Sequence, residues 1–290
     1  MTGAATTHLQ WQIGDVHVTR VEERIHGVIR DTLVPGITDA HIAEHADWVA
    51  PFFSRSGRLL LSVHTFVVRD ADRTIVVDTC AGAEPPRALP GDPLFLDRLE
   101  AAVEGGLGSV DTVLCTHLHF DHVGWNTRIE GGVRVPTFPN ARYLFARVEL
   151  DALDADDHAA VREPSVEPLL DAGLVDLVET DHVLTQHVRL VPTPGHTPGH
   201  VSVAIESRGE RAVITGDVLH TPLQVALPDL TASPFDGDPA RATETRKRFL
   251  DAHEETDCLL LGTHFPPPTA GWVRGRNLLR RFVPIREDGA

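Results

Sequence analysis

A layered α/β sandwich is the fold class that this 290-residue sequence predicts. Short β-rich runs recur along the chain, helix-compatible segments separate them, and the two kinds do not follow the strict βαβ alternation of a doubly wound sheet. Apolar residues make up 42% of the chain and charged residues 23%, the balance of a globular protein with a packed core rather than of a disordered one.

The first β-rich runs cover residues 16–21, 59–68 and 74–78, the last two separated by Asp70-Ala71-Asp72, a turn-forming triplet that predicts a hairpin. Apolar runs at 112–115, 188–191, 201–205, 212–215 and 258–261 have the length of short strands. Helix-compatible segments lie at 93–103, 146–155, 166–172 and 239–255, the last with Pro239 at its first turn. Residues 26–56 read as irregular, with Pro35-Gly36, Pro51 and Trp48-Val49 beside Phe52-Phe53. No internal repeat, low-complexity tract or linker separates a second core. The expectation is one domain over residues 1–290, with 1–58 as an N-terminal elaboration, lid or oligomer contact.

The formal charge of −16 argues against a nucleic-acid partner, because such binding relies on many Lys and Arg neutralising phosphates. It also disfavours a strongly anionic substrate. One dense basic stretch, Arg274, Arg276, Arg280, Arg281 and Arg286, reads as a solvated helix face. Residues 1–14 carry no positive region followed by an apolar stretch, and the strongest apolar run is interrupted by Ser62, His64 and Thr65. No signal peptide, membrane span or membrane partner is expected. Cys80, Cys115 and Cys258 are odd in number, far apart and set in apolar contexts, which predicts buried thiols in a reducing compartment and a cytoplasmic protein.

The informative segment is Thr116-His117-Leu118-His119-Phe120-Asp121-His122-Val123-Gly124, directly after the predicted strand 112–115. Imidazole and carboxylate are the donors that borderline cations such as Zn²⁺ or Mn²⁺ accept. Alternating His117 and His119 leave the strand on one side, and Asp121 and His122 reach another direction through the following turn. One short loop thus has donors for two metals. His196 sits in Pro194-Gly195-His196-Thr197-Pro198-Gly199-His200, Asp217 in Thr215-Gly216-Asp217, and His264 follows the strand 258–261. Each lies just beyond a predicted strand, where loops carry functional groups over a rigid scaffold.

These segments, with Gly262-Thr263-His264, resemble the metallo-β-lactamase fold signature in its two-metal hydrolase form over roughly residues 59–264. The resemblance implies an αββα sandwich of the metallo-β-lactamase type. It makes His117, His119 and His196 the ligands of one metal and Asp121, His122 and His264 those of the other, with Asp217 bridging. It implies two divalent ions, zinc first and Mn, Fe or Co as alternatives, with a bridging hydroxide that attacks a small-molecule substrate. Asp121 or Asp217 accepts the proton. Asp78, in Asp78-Thr79-Cys80-Ala81-Gly82, matches the family's Asp-Thr-Gly strand end in part and implies a supporting role behind the ligands.

Within the family, Asp217 separates the chain from the β-lactamases proper, and the His-x-His-x-Asp-His pattern separates it from the diiron oxygen-reducing branch. The chain looks most like the N-acyl-homoserine lactonases and the methyl-parathion hydrolase-like proteins, which implies a hydrolase opening a lactone or cleaving an ester, with a homodimer as one possible assembly. Lactonases commonly place Tyr three residues after the bridging Asp; here that position is His220. His220 is either a donor to the oxyanion or leaving alkoxide, or a histidine packed against Leu219 and Leu223. The alternatives are a thioester hydrolase of glyoxalase II type, with Arg274 and Arg276 as its basic residues, a phosphotriester hydrolase, and a metal-binding protein without turnover. His64, His158, His182, His187, His200 and His253 fall off the ligand positions and read as structural, His200 through a hydrogen bond. Trp48, Phe52, Phe53, Phe120 and Trp125 read first as core and second as the wall of an apolar pocket.

Overall fold

The structure, a computed structural model, describes residues 8–83, 92, 94–155, 159–232 and 234–285. Pro93, His158 and Arg286 lie outside the described residues. The chain forms two compact units interleaved in sequence. The first takes the chain up to Arg24, Val63–Phe145 and Leu150–Val178; the second takes Ile25–Ser62, Ala146–Glu149 and the chain from Glu179 onward.

The strands in chain order are β1 Gln10–Ile13, β2 Val16–Val28, β3 Leu59–Asp70, β4 Arg73–Val77, β5 Thr112–Leu114, β6 Thr127–Glu130, β7 Val133–Pro136, β8 Arg142–Ala146 and β9 Val175–Val178. They form a seven-stranded sheet in the order β1-β2-β3-β4-β5-β8-β9 and a separate β6-β7 hairpin. Pairing of β4 with β5 and of β5 with β8 is parallel, with Val77 opposite Leu114 and Leu114 opposite Leu144. Parallel central strands are covered on both faces and so read as continuous apolar runs rather than alternating ones. The end of β4 that pairs with β5, Ile75-Val76-Val77, is buried accordingly, and β3, antiparallel to β4, is almost wholly buried as well. Val63, Val76, Phe95, Val113, Trp125 and Tyr143 belong to the core of this unit.

Strand β2 runs beyond the predicted residues 16–21, to Val28. The charges at Glu22, Glu23 and Arg24 break the apolar pattern, yet Glu23 points inward. Its carboxylate accepts the backbone N–H groups of Ala81 at 3.0 Å and Gly82 at 3.3 Å and the Trp125 indole N–H at 2.5 Å. Burial pushes the Glu23 pKa up, against the pull of these donors.

The backbone at Ala81–Gly82 and at Gly124 meet so closely that a Cβ on Gly124 would lie 2.0 Å from the Ala81 carbonyl carbon. Gly124→Ala is therefore expected to destabilise the protein by about 3 kcal/mol, the upper end for forced repacking against backbone. A urea midpoint equal to that of the parent protein would refute this.

The second unit carries the sheet β10 Val188–Pro192, β11 Val201–Ser207, β12 Glu210–Ile214, β13 Leu259–Leu261, β14 Ala270–Arg274 and β15 Arg281–Pro284, ordered as numbered. Pairing is antiparallel except between β12 and β13, where Ile214 lies opposite Leu261. The helix Pro239–His253 starts with Asp238 as N-cap, accepting the Arg241 N–H at 3.0 Å, and Pro239 in the first turn. Its inward face carries Ala242, Thr245, Arg246, Phe249 and Leu250 at helical spacing.

Residues 26–56 hold three short helices, Arg30–Leu33, Asp39–Glu44 and Ala46–Val49, instead of irregular chain alone. Trp48, Val49 and Phe52 join Phe265 and Phe282 in the core of the second unit. The core reading holds for Trp48, Phe52 and Trp125.

The C-terminal arginines do not form a solvated helix face. Arg274 ends β14 and Arg281 begins β15, and the two strands pair so that Val273 and Phe282 face each other and are buried. That apolar pairing overrides the charge pattern. Arg280 is 5% exposed and contacts Asp251 and Glu254, and Arg274 reaches Asp257 at 3.2 Å.

Candidate metal centre

In the first unit, the parallel pairing of β4 and β5 makes both strands end on the same side, which brings Asp78 beside Thr116. Asp78 sits at a φ of 59°, a left-handed backbone that turns its side chain back over the strand ends. Its carboxylate accepts the Thr116 N–H at 2.7 Å and the Thr116 hydroxyl at 2.9 Å, and lies 2.9 Å from His122 Nδ1. The Thr116 hydroxyl oxygen lies 3.2 Å from His117 Nδ1. Since that hydroxyl donates to Asp78, it accepts from His117. Both imidazoles therefore carry a proton on Nδ1 and turn Nε2 away from these partners, as ligation through Nε2 needs.

His119 caps the single helical turn Phe120–Val123, which carries Asp121 and His122. The ring centres of His117 and His122 are 4.0 Å apart, and those of His117 and His119 4.6 Å. The loop is fastened by backbone bonds from Thr79 N–H to His122 O at 2.7 Å and from Gly124 N–H to Cys80 O at 2.7 Å. The four side chains His117, His119, Asp121 and His122 thus stand on one short segment, with the Asp78 carboxylate against His122 directly and against His117 through Thr116.

In the second unit, antiparallel β11 and parallel β13 on either side of β12 put three loops at one sheet edge. These are the loop entering β11, the turn after β12 and the turn after β13. They carry His196, Asp217 with His220, and His264. The Nε2 atoms of His196, His220 and His264 lie 3.4, 3.2 and 3.2 Å from the same Asp217 oxygen, Oδ2. His264 Nδ1 donates to Ser62 O at 2.9 Å, and His196 Nδ1 donates to Asp236 at 2.8 Å. Three imidazole nitrogens thus face one carboxylate oxygen, a compact group of nitrogen and oxygen donors of the kind that a cation draws on. The donor set fits a divalent metal. His196, Asp217 and His220 by themselves place three buried donor atoms within 4.8 Å of one another.

Backbone geometry holds this edge. His200 Nδ1 bonds to Thr193, and its Nε2 accepts the Asp217 N–H at 2.7 Å, the structural role expected of it. Gln224 accepts the His220 N–H at 2.7 Å and donates to Leu230 O. Burial lowers the His220 pKa, opposed by the charge of Asp217.

Sequence reasoning missed Asp236 and Arg246. The first is buried, with one oxygen on His196 and the other accepting the Ala232 N–H at 3.0 Å. Burial pushes its pKa up, but the His196 bond and the charges of His220, His196 and Arg246 outweigh this and hold it below the usual carboxylate range. Arg246 had a signal: a charged residue in register with Ala242, Phe249 and Leu250 on an apolar helix face.

The sequence profile of the metallo-β-lactamase superfamily matches residues 58–264, well over half of the chain and all the donors named above. The chain belongs to the metallo-β-lactamase superfamily. It is 26% identical over 167 residues to a probable metallo-hydrolase, YybB, of Bacillus subtilis, covering 56% of this chain and 64% of that one. It is 31% identical over 103 residues to an N-acyl homoserine lactonase of Bacillus cereus, covering 35% of each. The match thus spans from about a third to just under two thirds of these relatives. Two solved structures share the fold. One is described as the hydrolase AbOPH (TM-score 0.80, 24% identity, 96% of this chain and 97% of that one). The other is described as AidC, a dizinc quorum-quenching lactonase in complex with a product (TM-score 0.77, 20% identity, 96% and 97%). Among the described residues no helix is long and apolar enough to cross a membrane.

Proposed function

We propose that the protein is a two-metal hydrolase that opens a lactone or cleaves an ester of a small, uncharged substrate. The observation that carries this reading is the convergence of three imidazole nitrogens on one oxygen of Asp217, two of the rings being oriented through Nδ1 by Asp236 and by the Ser62 carbonyl. His117, His119 and His196 would hold one cation and Asp121, His122 and His264 the other, with Asp217 shared between them. Bound divalent ions, zinc first and Mn, Fe or Co as alternatives, supply Lewis acidity and a water nucleophile activated near neutral pH. Asp121 or Asp217 takes the proton released as the substrate is attacked, and His220 donates to the oxyanion or to the leaving alkoxide.

Support for the substrate class comes from the lactonases among the relatives and fold neighbours and from the net charge of −16, which disfavours anionic substrates. A glutathione thioester is the weaker reading: of Arg274 and Arg276, the cations that it would use, Arg274 already pairs with Asp257 at 3.2 Å. The three buried, free cysteines accord with a cytoplasmic enzyme, and a homodimer belongs to the same proposal.

The test is metal analysis of the purified protein joined to a panel of lactone, aryl ester, phosphotriester, thioester and β-lactam substrates. Lactones and esters are expected to give the highest kcat/KM, and chelation is expected to abolish the activity. A β-lactam turned over more efficiently than every lactone and ester would overturn the assignment.

A further inference from the structure

Arg246 is fully buried on the helix Pro239–His253. Burying a guanidinium costs several kcal/mol unless each face of it is satisfied, and a methionine or leucine would fill the same space on this apolar face. The arginine uses its planar fork instead. Nε donates to Val218 O at 2.8 Å, Nη1 donates to Pro228 O at 2.9 Å and Leu230 O at 2.8 Å, and Nη2 stands 3.8 Å from Asp236 Oδ2. Two of these partners adjoin candidate metal donors. Val218 follows Asp217 directly, and Asp236 holds His196 Nδ1.

The same helix secures the His196 loop at a second point, since the Thr245 hydroxyl donates to Pro194 O at 2.6 Å. A Cβ on Gly195 would lie 2.3 Å from the Ala242 nitrogen, so the loop rests directly on the helix backbone.

We infer that Arg246 is a positioning residue for the metal centre, fixing His196 through Asp236 and the Asp217 turn through the Val218 carbonyl. It sets the spacing of two donors that come from loops separated in sequence. The inference rests on the reading of His196 and Asp217 as ligands. A carboxylate behind a ligating histidine fixes ring orientation and basicity, and its loss typically weakens metal binding by about 10-fold to 100-fold. Arg246 extends that arrangement one residue further and joins it to a second ligand.

The test compares Arg246→Lys, Arg246→Met and Asp236→Asn with the parent protein. Zn²⁺ affinity is measured by competition with a chromophoric chelator, the visible spectrum is recorded with Co²⁺, and the thermal midpoint is taken separately in excess chelator. Arg246→Lys and Asp236→Asn are each expected to weaken Zn²⁺ binding by about 10-fold or more and to alter the Co²⁺ bands. Arg246→Lys combined with Asp236→Asn should lose less than the product of the two single losses, because Arg246 acts partly through Asp236.

If the variants shift only the thermal midpoint and bind Zn²⁺ and Co²⁺ as the parent does, Arg246 is a packing residue and the inference fails. Should Arg246→Met not fold, the lysine and asparagine variants decide the matter. His196→Ala separates the two levels: unchanged metal binding in that variant would refute the ligand reading itself, whatever Arg246 does.

Discussion

Asp217→Ala is expected to lower the bound metal from two equivalents per chain to one and to reduce kcat/KM by at least about 10³-fold, roughly 4 kcal/mol of lost transition-state stabilisation. The size of the effect follows from the position of the residue. One Asp217 oxygen is approached by His196, His220 and His264 within 3.4 Å. His200 and the turn after β12 pin its backbone, so the alanine variant keeps the loop in place and removes only the charge and the donor oxygens. Asp217→Asn separates charge from shape: it keeps the volume but not the anion, and is expected to bind metal more weakly than the parent and to work more slowly. Elemental analysis showing the same metal content in the parent and the alanine variant, with unchanged kcat/KM, would reject the two-metal reading.

The donors themselves were legible in the sequence because their spacing is local. His117 to His122 lie on six consecutive positions, and His196, Asp217 and His264 each follow an apolar run whose strand character is plain. The fold class was legible for the same reason, and the parallel pairing of β4 with β5 and of β12 with β13 explains why those loops end at the sheet edges.

What the sequence hid depends on partners far away along the chain. Glu23 looks like a break in a strand until its bonds to Ala81, Gly82 and Trp125 are seen, and Asp236 looks like a turn residue until its bond to His196, 40 positions earlier, is seen. The hairpin β14-β15 was masked by its own charges. Arg274 and Arg281 stand directly beside the inward-packing Val273 and Phe282, and with Arg276 and Arg280 between them the positive charge outweighs so short an apolar signal. Strand β8 was hidden differently: its run Tyr143-Leu144-Phe145 stands directly before a helix whose pattern overlaps its last residue.

His220→Ala is expected to keep both metals and lower kcat by about 10²-fold, the usual loss for a general acid or an oxyanion donor. The imidazole is buried, its Nε2 lies 3.2 Å from Asp217 Oδ2, and its ring stacks on that of His264 at 5.8 Å with 13° between the planes. A histidine merely packing against Leu219 and Leu223 has no need of that placement. Gln224 fixes the His220 backbone, so truncating the side chain should leave the turn intact and confine the change to the missing imidazole. His220→Tyr is expected to restore part of the rate, because a phenol supplies the same hydrogen-bond donor. Two other results carry defined meanings. A loss of metal in His220→Ala would make the ring a ligand, in keeping with its place in the buried group with His196 and Asp217. Full metal content with unchanged kcat and KM, measured on the best substrate of the panel, would reduce His220 to a packing residue.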